Sequence, residues 1–130
     1  MNIRKVLNFG HTFAHSYEAA LNYSKKLNHG EAVILGICSA IKFSYEKKIL
    51  KYKDFFSIIE HIKKSNLPHQ LSNYFSSKDL NKILLFMDKD KKNISNKINL
   101  ILLKKIGSPI INNNYEKKKL SNFIKRELIN

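Results

Sequence analysis

The chain has 130 residues, of which 43% are hydrophobic, and this is enough for one core but not for two, so we expect a single domain over residues 1–130. No apolar stretch is long enough to cross a bilayer, since the run from Ala32 to Phe43 is short and contains Lys42. No segment shows the charged and then apolar pattern of a secretory signal peptide. The one cysteine, Cys38, excludes an internal disulfide and fits a reducing, cytoplasmic compartment, and its apolar neighbours predict a packed thiol rather than a nucleophile. The formal charge of +14 comes almost wholly from lysines without interleaved aromatic residues, which argues against specific nucleic-acid binding.

A polar stripe marks the first predicted helix, which spans about residues 2 to 22. The stripe residues follow one another at spacings of 4, 3, 4, 3 and 4, which places them on one face of an α-helix: Arg4, Asn8, His11, His15, Glu18 and Asn22. Most other residues of the segment are apolar or small. The stripe is therefore typical of the lining of a wet cleft rather than of the solvated back of a helix.

A second helix is predicted at residues 30 to 49, directly after His29. If it folds back antiparallel on the first helix, it brings this third imidazole towards the polar stripe. Three neutral imidazoles, or two with a carboxylate, and one open position make a catalytic zinc site. The candidate ligands are His11, His15 and His29, with Glu18 and Glu31 as in-chain carboxylates. Two hypotheses stay open here: Glu31 caps its own helix, and the histidines are simply hydrogen-bonded helix residues.

Apolar spacing predicts three further helices, each with one buried face, at about 52 to 65, 78 to 88 and 115 to 128. Before the last of them, Ile98 to Leu103 is strongly β-prone and is followed by a Gly-Ser-Pro sequence, which predicts a small strand or hairpin. The asparagines at 112 to 114 predict a turn. The expected fold is mainly α, with a small β element.

The literal residues of the motif segments carry more information than their spacing. The sequence RKVLNFGHTFAHSYE (Arg4 to Glu18), followed by HGEAV from His29, closely resembles the metal-binding domain of 3-dehydroquinate synthases. Leu67-Pro68, MDKDKK from Met87 and INLILLKKIG from Ile98 follow in the order of that family's later blocks. The resemblance covers nearly the whole chain, and it implies a helical metal-binding domain of the 3-dehydroquinate synthase type.

The resemblance assigns the metal ligands. It implies that His11 and His29 bind zinc, or another divalent metal such as cobalt. It implies that His15 is not a ligand but a catalytic residue, which lies over the phosphate of the substrate and takes part in proton transfer. This departs from the hypothesis of three converging imidazoles, and we prefer the assignment that the resemblance implies.

The resemblance also assigns the contacts with the anionic substrate. Arg4 matches the contact to the substrate carboxylate, and Asn8 matches a contact to the phosphate, roles that suit a guanidinium fork and an amide donor. Lys91 matches a phosphate-binding lysine of the Asp-Lys-Lys block, with Lys89 and Lys92 as alternatives. Without the resemblance, this block would be interpreted as a solvated charge run.

The nucleotide-binding domain of the family has no counterpart in this sequence. The glycines stand far apart, so no Gly-x-Gly-x-x-Gly turn can form. The resemblance implies that a segment ahead of this one binds NAD. It implies that the same segment supplies the third zinc ligand, a glutamate, and further contacts with the substrate. We therefore expect a partner NAD-binding domain, in cis or in trans, a homodimeric full enzyme and no turnover by the isolated chain.

The resemblance implies a lyase of the shikimate route to aromatic compounds. Its substrate is 3-deoxy-arabino-heptulosonate 7-phosphate, which is transiently oxidised by NAD, loses phosphate and recloses as the carbocycle 3-dehydroquinate. Several alternatives remain open: a remnant without turnover, one subunit of a split enzyme, a related sugar-phosphate cyclase, and a basic nucleic-acid-binding module.

Overall fold

The computed structural model describes residues 9–89, 96–105 and 107–129. The helices are α1 (His11–Ala20), α2 (His29–Glu46), α3 (Tyr52–Lys64), α4 (Leu80–Met87) and α5 (Lys117–Ile129), with short 3-10 turns at Leu71–Asn73 and Ser77–Asp79. Strands β1 (Lys97–Lys105) and β2 (Ser108–Glu116) form an antiparallel hairpin. The prediction of a mainly helical fold with a small β element is confirmed. Within these ranges, no helix combines the length and the apolar character needed to cross a membrane.

Gly10 interrupts the first predicted helix. Gly10 has a left-handed backbone (φ 76°), and α1 starts directly after it, at His11. A Cβ atom at Gly10 would lie 2.8 Å from backbone atoms of Gly36 on α2, so both the positive φ and the close approach require glycine here. The predicted stripe is therefore not one continuous helical face. Its members divide as follows: His11, His15 and Glu18 lie on α1, Asn22 follows α1 with a left-handed backbone, and Arg4 and Asn8 lie outside the described residues.

Helices α1 and α2 pack antiparallel, as predicted. Glu18 near the end of α1 meets His29 at the start of α2, whereas Gly10 before α1 meets Gly36 further along α2. At this second contact, Gly36 brings the two backbones together, because a Cβ atom there would lie 2.7 Å from the backbone nitrogen of Ala14. The pair therefore fixes where the α1 side chains stand relative to the start of α2.

A capping box holds the start of α2. The Asn28 side chain accepts the Glu31 backbone N–H at 2.8 Å, and the Glu31 carboxylate accepts the Asn28 N–H at 3.0 Å. The other carboxylate oxygen of Glu31 accepts the Tyr74 hydroxyl at 3.2 Å, and burial raises the pKa of that phenol. Glu31 was a candidate either for a metal ligand or for the cap of its own helix, and the structure supports the capping role.

The main core lies between α1, α2, α4, α5 and the hairpin, and its buried aromatic residues are Phe13, Tyr17, Phe43, Phe75 and Phe123. The Tyr17 hydroxyl is hydrogen-bonded to the Ser39 hydroxyl at 2.6 Å, and burial raises the pKa of Tyr17 far above its ordinary value, so the phenol stays neutral. The buried Ser44 hydroxyl accepts the Leu103 N–H at 2.9 Å and thereby ties β1 to α2.

The hairpin occupies residues that the sequence predicted to be a turn. Asparagines 112 to 114 lie within β2, with Asn114 opposite Asn99 and Pro109 opposite Leu103. The prediction was wrong because pairing with β1 overrides the low strand propensity of asparagine. The turn lies instead around Gly107, whose φ is 81°. As a consequence α5 begins at Lys117, two residues after the predicted start.

Cys38 lies in a second apolar cluster with Ile41 and Ile59, as its apolar neighbours predicted, and it is only 2% exposed. Burial raises the pKa of this thiol to about 11, from an ordinary 9.0. At pH 8 the native thiolate fraction should therefore be about a hundredfold lower than that of a free thiol. We expect iodoacetamide to modify the native chain at least that much more slowly than the chain in urea, as followed by mass spectrometry. Equal rates would contradict the buried placement.

Because the pKa of the Cys38 thiol is higher in the folded chain than in the unfolded chain, this thiol also makes stability fall as the pH rises from 9 towards 11.

Candidate functional site

Helix α1 presents three polar side chains one turn apart, which are His11, His15 and Glu18. Both histidines are exposed. Their rings stack at a centroid distance of 5.9 Å, with an angle of 7° between the planes. The Nε2 atom of His15 also lies 3.4 Å from the Tyr23 hydroxyl in the loop after α1. This loop contact could not be foreseen from helical spacing, because Tyr23 lies past the end of the helix.

His29, the first residue of α2, reaches back to α1. Its Nδ1 atom lies 3.2 Å from both carboxylate oxygens of Glu18. The two side chains differ in exposure: the His29 side chain is 78% exposed and that of Glu18 is 15% exposed. The contact joins a largely solvated imidazole to a largely covered carboxylate.

Two neighbouring cavities share the α1 histidines. The smaller, of about 50 Å³, is lined by Phe9, Gly10, His11, Ala14, His15, Glu18, His29 and Val33. The larger, of about 350 Å³, is lined by His11, Thr12, His15, Ser16, Phe86, Met87 and Lys89. His11 and His15 thus stand between a small space that faces His29 and a roomier one that faces the end of α4.

The larger cavity has one lysine in its lining. The Lys89 ammonium lies 4.7 Å from the centroid of the Phe86 ring, a cation–π contact that holds it at the cavity wall. Of the three lysines that were alternatives for a phosphate contact, Lys89 is the one that the structure describes; Lys91 and Lys92 lie outside the described residues. The sequence did not predict Phe86 and Met87 in the lining, because they belong to a helix distant in sequence.

The described residues do not form a zinc site made of three in-chain imidazoles. His11, His15 and His29 line one cavity, but within residues 9–89, 96–105 and 107–129 no three His, Cys, Asp or Glu side chains are grouped closely enough to hold a metal ion. Two imidazole donors on different helices, open to one space and next to a carboxylate, do fit part of a site for a divalent cation such as zinc or cobalt. Such a site needs a further ligand from elsewhere.

Comparison with known proteins decides the family. The model of the family described as 3-dehydroquinate synthase C-terminal matches residues 1–93, which include both cavities. The chain belongs to this family. The resemblance predicted from the motif residues is thus confirmed.

The 3-dehydroquinate synthase C-terminal match is supported by individual relatives. The chain is 54% identical over 128 residues to a 3-dehydroquinate synthase of Pelagibacter ubique, covering 98% of this chain and 35% of the relative. It is 32% identical over 130 residues to a 3-dehydroquinate synthase of Rhodopseudomonas palustris, covering 96% of this chain and 34% of the relative. The chain therefore spans about a third of the length of the relatives it matches.

Solved structures share the fold of this 3-dehydroquinate synthase C-terminal family member. A crystal structure of 2-deoxy-scyllo-inosose synthase complexed with carbaglucose-6-phosphate, NAD⁺ and Co²⁺ superimposes with a TM-score of 0.71, at 22% identity. It covers 92% of this chain and 32% of the other. A second structure of 2-deoxy-scyllo-inosose synthase gives a TM-score of 0.67 at 21% identity. At these identities, the comparison establishes the fold alone.

Proposed function

We propose that the chain is the metal- and substrate-binding part of a 3-dehydroquinate synthase, a lyase that converts 3-deoxy-arabino-heptulosonate 7-phosphate to 3-dehydroquinate and phosphate in the shikimate route. One observation carries the proposal: His11, His15 and His29, the motif histidines, line one cavity, and two of them also line the larger cavity beside Lys89. The 54% identity to a 3-dehydroquinate synthase supports it.

In this proposal His11 and His29 bind zinc or cobalt. When bound, such an ion polarises a coordinated hydroxyl and stabilises the negative charge that forms on its oxygen. The exposed rings come from the first residues of α1 and α2, and the packing of these two helices sets their separation before any ion arrives. The remaining ligand and NAD would come from the part of the relatives that this chain does not span, in cis or in trans, and the complete enzyme would be a homodimer.

The larger cavity is proposed to take the phosphate end of the substrate. Lys89 supplies a positive charge at the wall of this cavity. The His15 ring, which stacks on His11 and is open to the cavity, would donate a hydrogen bond to a phosphate oxygen and exchange a proton with it. Arg4, Asn8 and Lys91 stay predicted contacts to the carboxylate and phosphate. The formal charge of +14 would raise the local concentration of such an anion near the site.

A related sugar-phosphate cyclase is the second candidate, because the fold is shared with 2-deoxy-scyllo-inosose synthase. A domain without turnover is a third. The larger cavity lends no support to a basic nucleic-acid-binding module, since its one lysine stands beside histidines rather than along an extended stacking surface.

A chimera tests the proposal. The part of the Pelagibacter ubique 3-dehydroquinate synthase that this chain does not match would be joined to this chain in place of the matching third, which the 54% identity makes structurally compatible. With NAD and Zn²⁺, we expect the chimera to release inorganic phosphate from 3-deoxy-arabino-heptulosonate 7-phosphate, and the chain alone to release none.

Glucose 6-phosphate serves as the competing substrate in the same assay. Phosphate release from glucose 6-phosphate alone would favour the related cyclase. A folded chimera that is inactive with both substrates, next to an active parent enzyme, would favour a domain without turnover.

A further inference from the structure

We propose that Glu18 is a positioning residue of the metal site: it holds the N–H of His29 on Nδ1 and so leaves the Nε2 lone pair of His29 for a divalent cation. This inference rests on the proposed function, in which His29 is a ligand. It goes further, because it gives a role to a carboxylate that the family pattern left without one.

The geometry of the contact determines the tautomer. An ionised carboxylate can only accept hydrogen bonds, and both Glu18 oxygens lie 3.2 Å from Nδ1 of His29. The proton of a neutral His29 ring must therefore be on Nδ1, and the free lone pair is on Nε2. Among the described residues no other side chain is hydrogen-bonded to His29, so Glu18 alone orients a ring that is 78% exposed.

Glu18 is itself held firmly. Its side chain is only 15% exposed, and it projects from α1 three residues after His15, on the helix that packs closely against α2. A largely covered carboxylate needs a hydrogen-bond donor, and His29 is the donor that the described residues supply. The nearby Glu31 differs, because its oxygens are engaged by the Asn28 N–H and the Tyr74 hydroxyl.

The same geometry argues against Glu18 as a direct ligand of a metal on His29. The two ring nitrogens point away from each other, so a carboxylate centred on Nδ1 faces away from an ion bound at Nε2. Metal-binding histidines commonly donate their second N–H to a carboxylate, and loss of this partner typically costs 10–100-fold in metal affinity. Glu18 fits this outer role.

The test uses the chain with Glu18→Gln and Glu18→Ala, and Glu31→Gln as the matched control. Glu31→Gln also removes one negative charge near the start of α2, but glutamine still closes the capping box. Long-range ¹H–¹⁵N NMR of the metal-free chain reports the tautomer of His29, and titration with Co²⁺ alone reports affinity.

We expect His29 to carry its proton on Nδ1 in the wild-type chain and to lose that preference in both Glu18 variants. Affinity for Co²⁺ should fall about 10–100-fold in Glu18→Ala, whereas Glu31→Gln should keep the wild-type tautomer and affinity. In a His29→Ala background, Glu18→Ala should cause no further loss, because Glu18 acts through His29.

Three results would overturn this proposal and leave the proposed metal site standing. The first is a wild-type His29 that carries its proton on Nε2. The second is a Glu18→Ala chain that binds Co²⁺ as the wild type does while His29→Ala does not, which would leave the proposed function standing. The third is a further loss of affinity on adding Glu18→Ala to His29→Ala, which would make Glu18 a direct ligand. Unchanged Co²⁺ affinity in His29→Ala itself would remove both this proposal and the proposed metal site.

Discussion

Replacement of His29 or His11 by alanine in the chimera should lower Zn²⁺ affinity by about a hundredfold or more. Loss of an outer hydrogen-bond partner of a metal-binding histidine typically lowers metal affinity 10–100-fold, and loss of the ligand itself should lower it at least as much. Phosphate release at limiting Zn²⁺ should fall at least as far. The physical reason is that imidazole donors are few here: within the described ranges no in-chain group of three ligands exists that could compensate. Metal titration by calorimetry and a phosphate assay measure the two effects.

Two variants serve as controls for this prediction. His61→Ala removes an exposed imidazole from α3, outside both cavities, and should change neither quantity. His15→Ala should leave Zn²⁺ affinity nearly unchanged while impairing turnover, because His15 is proposed to contact phosphate rather than metal. If His15→Ala abolished metal binding and His29→Ala did not, the assignment of the two roles would be wrong.

Gly36→Ala is expected to lower the free energy of unfolding by about 2 kcal/mol or more, at the upper end of the range for overpacking a well-packed interior. A Cβ atom at Gly36 would lie 2.5 Å from the Gly10 carbonyl oxygen, 2.7 Å from the Ala14 nitrogen and 2.8 Å from its Cβ. Two of these are backbone atoms, which cannot move aside as the end of a side chain can. Helix α1 would have to shift, which outweighs the roughly 1 kcal/mol that alanine gains over glycine in a helix.

Gly30→Ala is the matched control, since both glycines belong to α2. A Cβ atom at Gly30 would meet only Asn28 Oδ1, at an ordinary 3.5 Å. Urea unfolding followed by circular dichroism should therefore show a clear fall in midpoint for Gly36→Ala and little change for Gly30→Ala. A Gly36→Ala midpoint equal to the wild type would contradict the close packing of α1 on α2. Because α1 carries His11, Gly36→Ala should also weaken metal binding in the chimera.

The sequence by itself was enough to predict the later helices and to identify the family. Helices α3, α4 and α5 bury apolar residues at helical spacing, such as Ile59 with Ile62 and Ile83 with Met87, and this local pattern predicted them to within a few residues. The motif from Arg4 to Glu18, followed by His29, was specific enough to indicate 3-dehydroquinate synthase, which the family match confirms.

The errors arose where distant contacts override local preference. The spacing of the polar stripe predicted a helix through Gly10, but the backbone there is left-handed and lies against Gly36, 26 positions along the chain. Asparagines 112 to 114 favour a turn locally, yet β1 supplies their strand with backbone hydrogen bonds. Neither partner is visible in a short window of sequence.

Residue types and their order along the chain determined which chemistry the site can offer, namely imidazoles, a carboxylate and lysines near the ends of helices. Only the tertiary structure decided which of these groups meet: Glu31 is engaged by Asn28 and Tyr74, whereas Glu18 faces His29. The reason is that helical spacing fixes direction within one helix, but the approach of two helices depends on the residues at their crossing. Here the small residues Gly10, Ala14 and Gly36 set that approach.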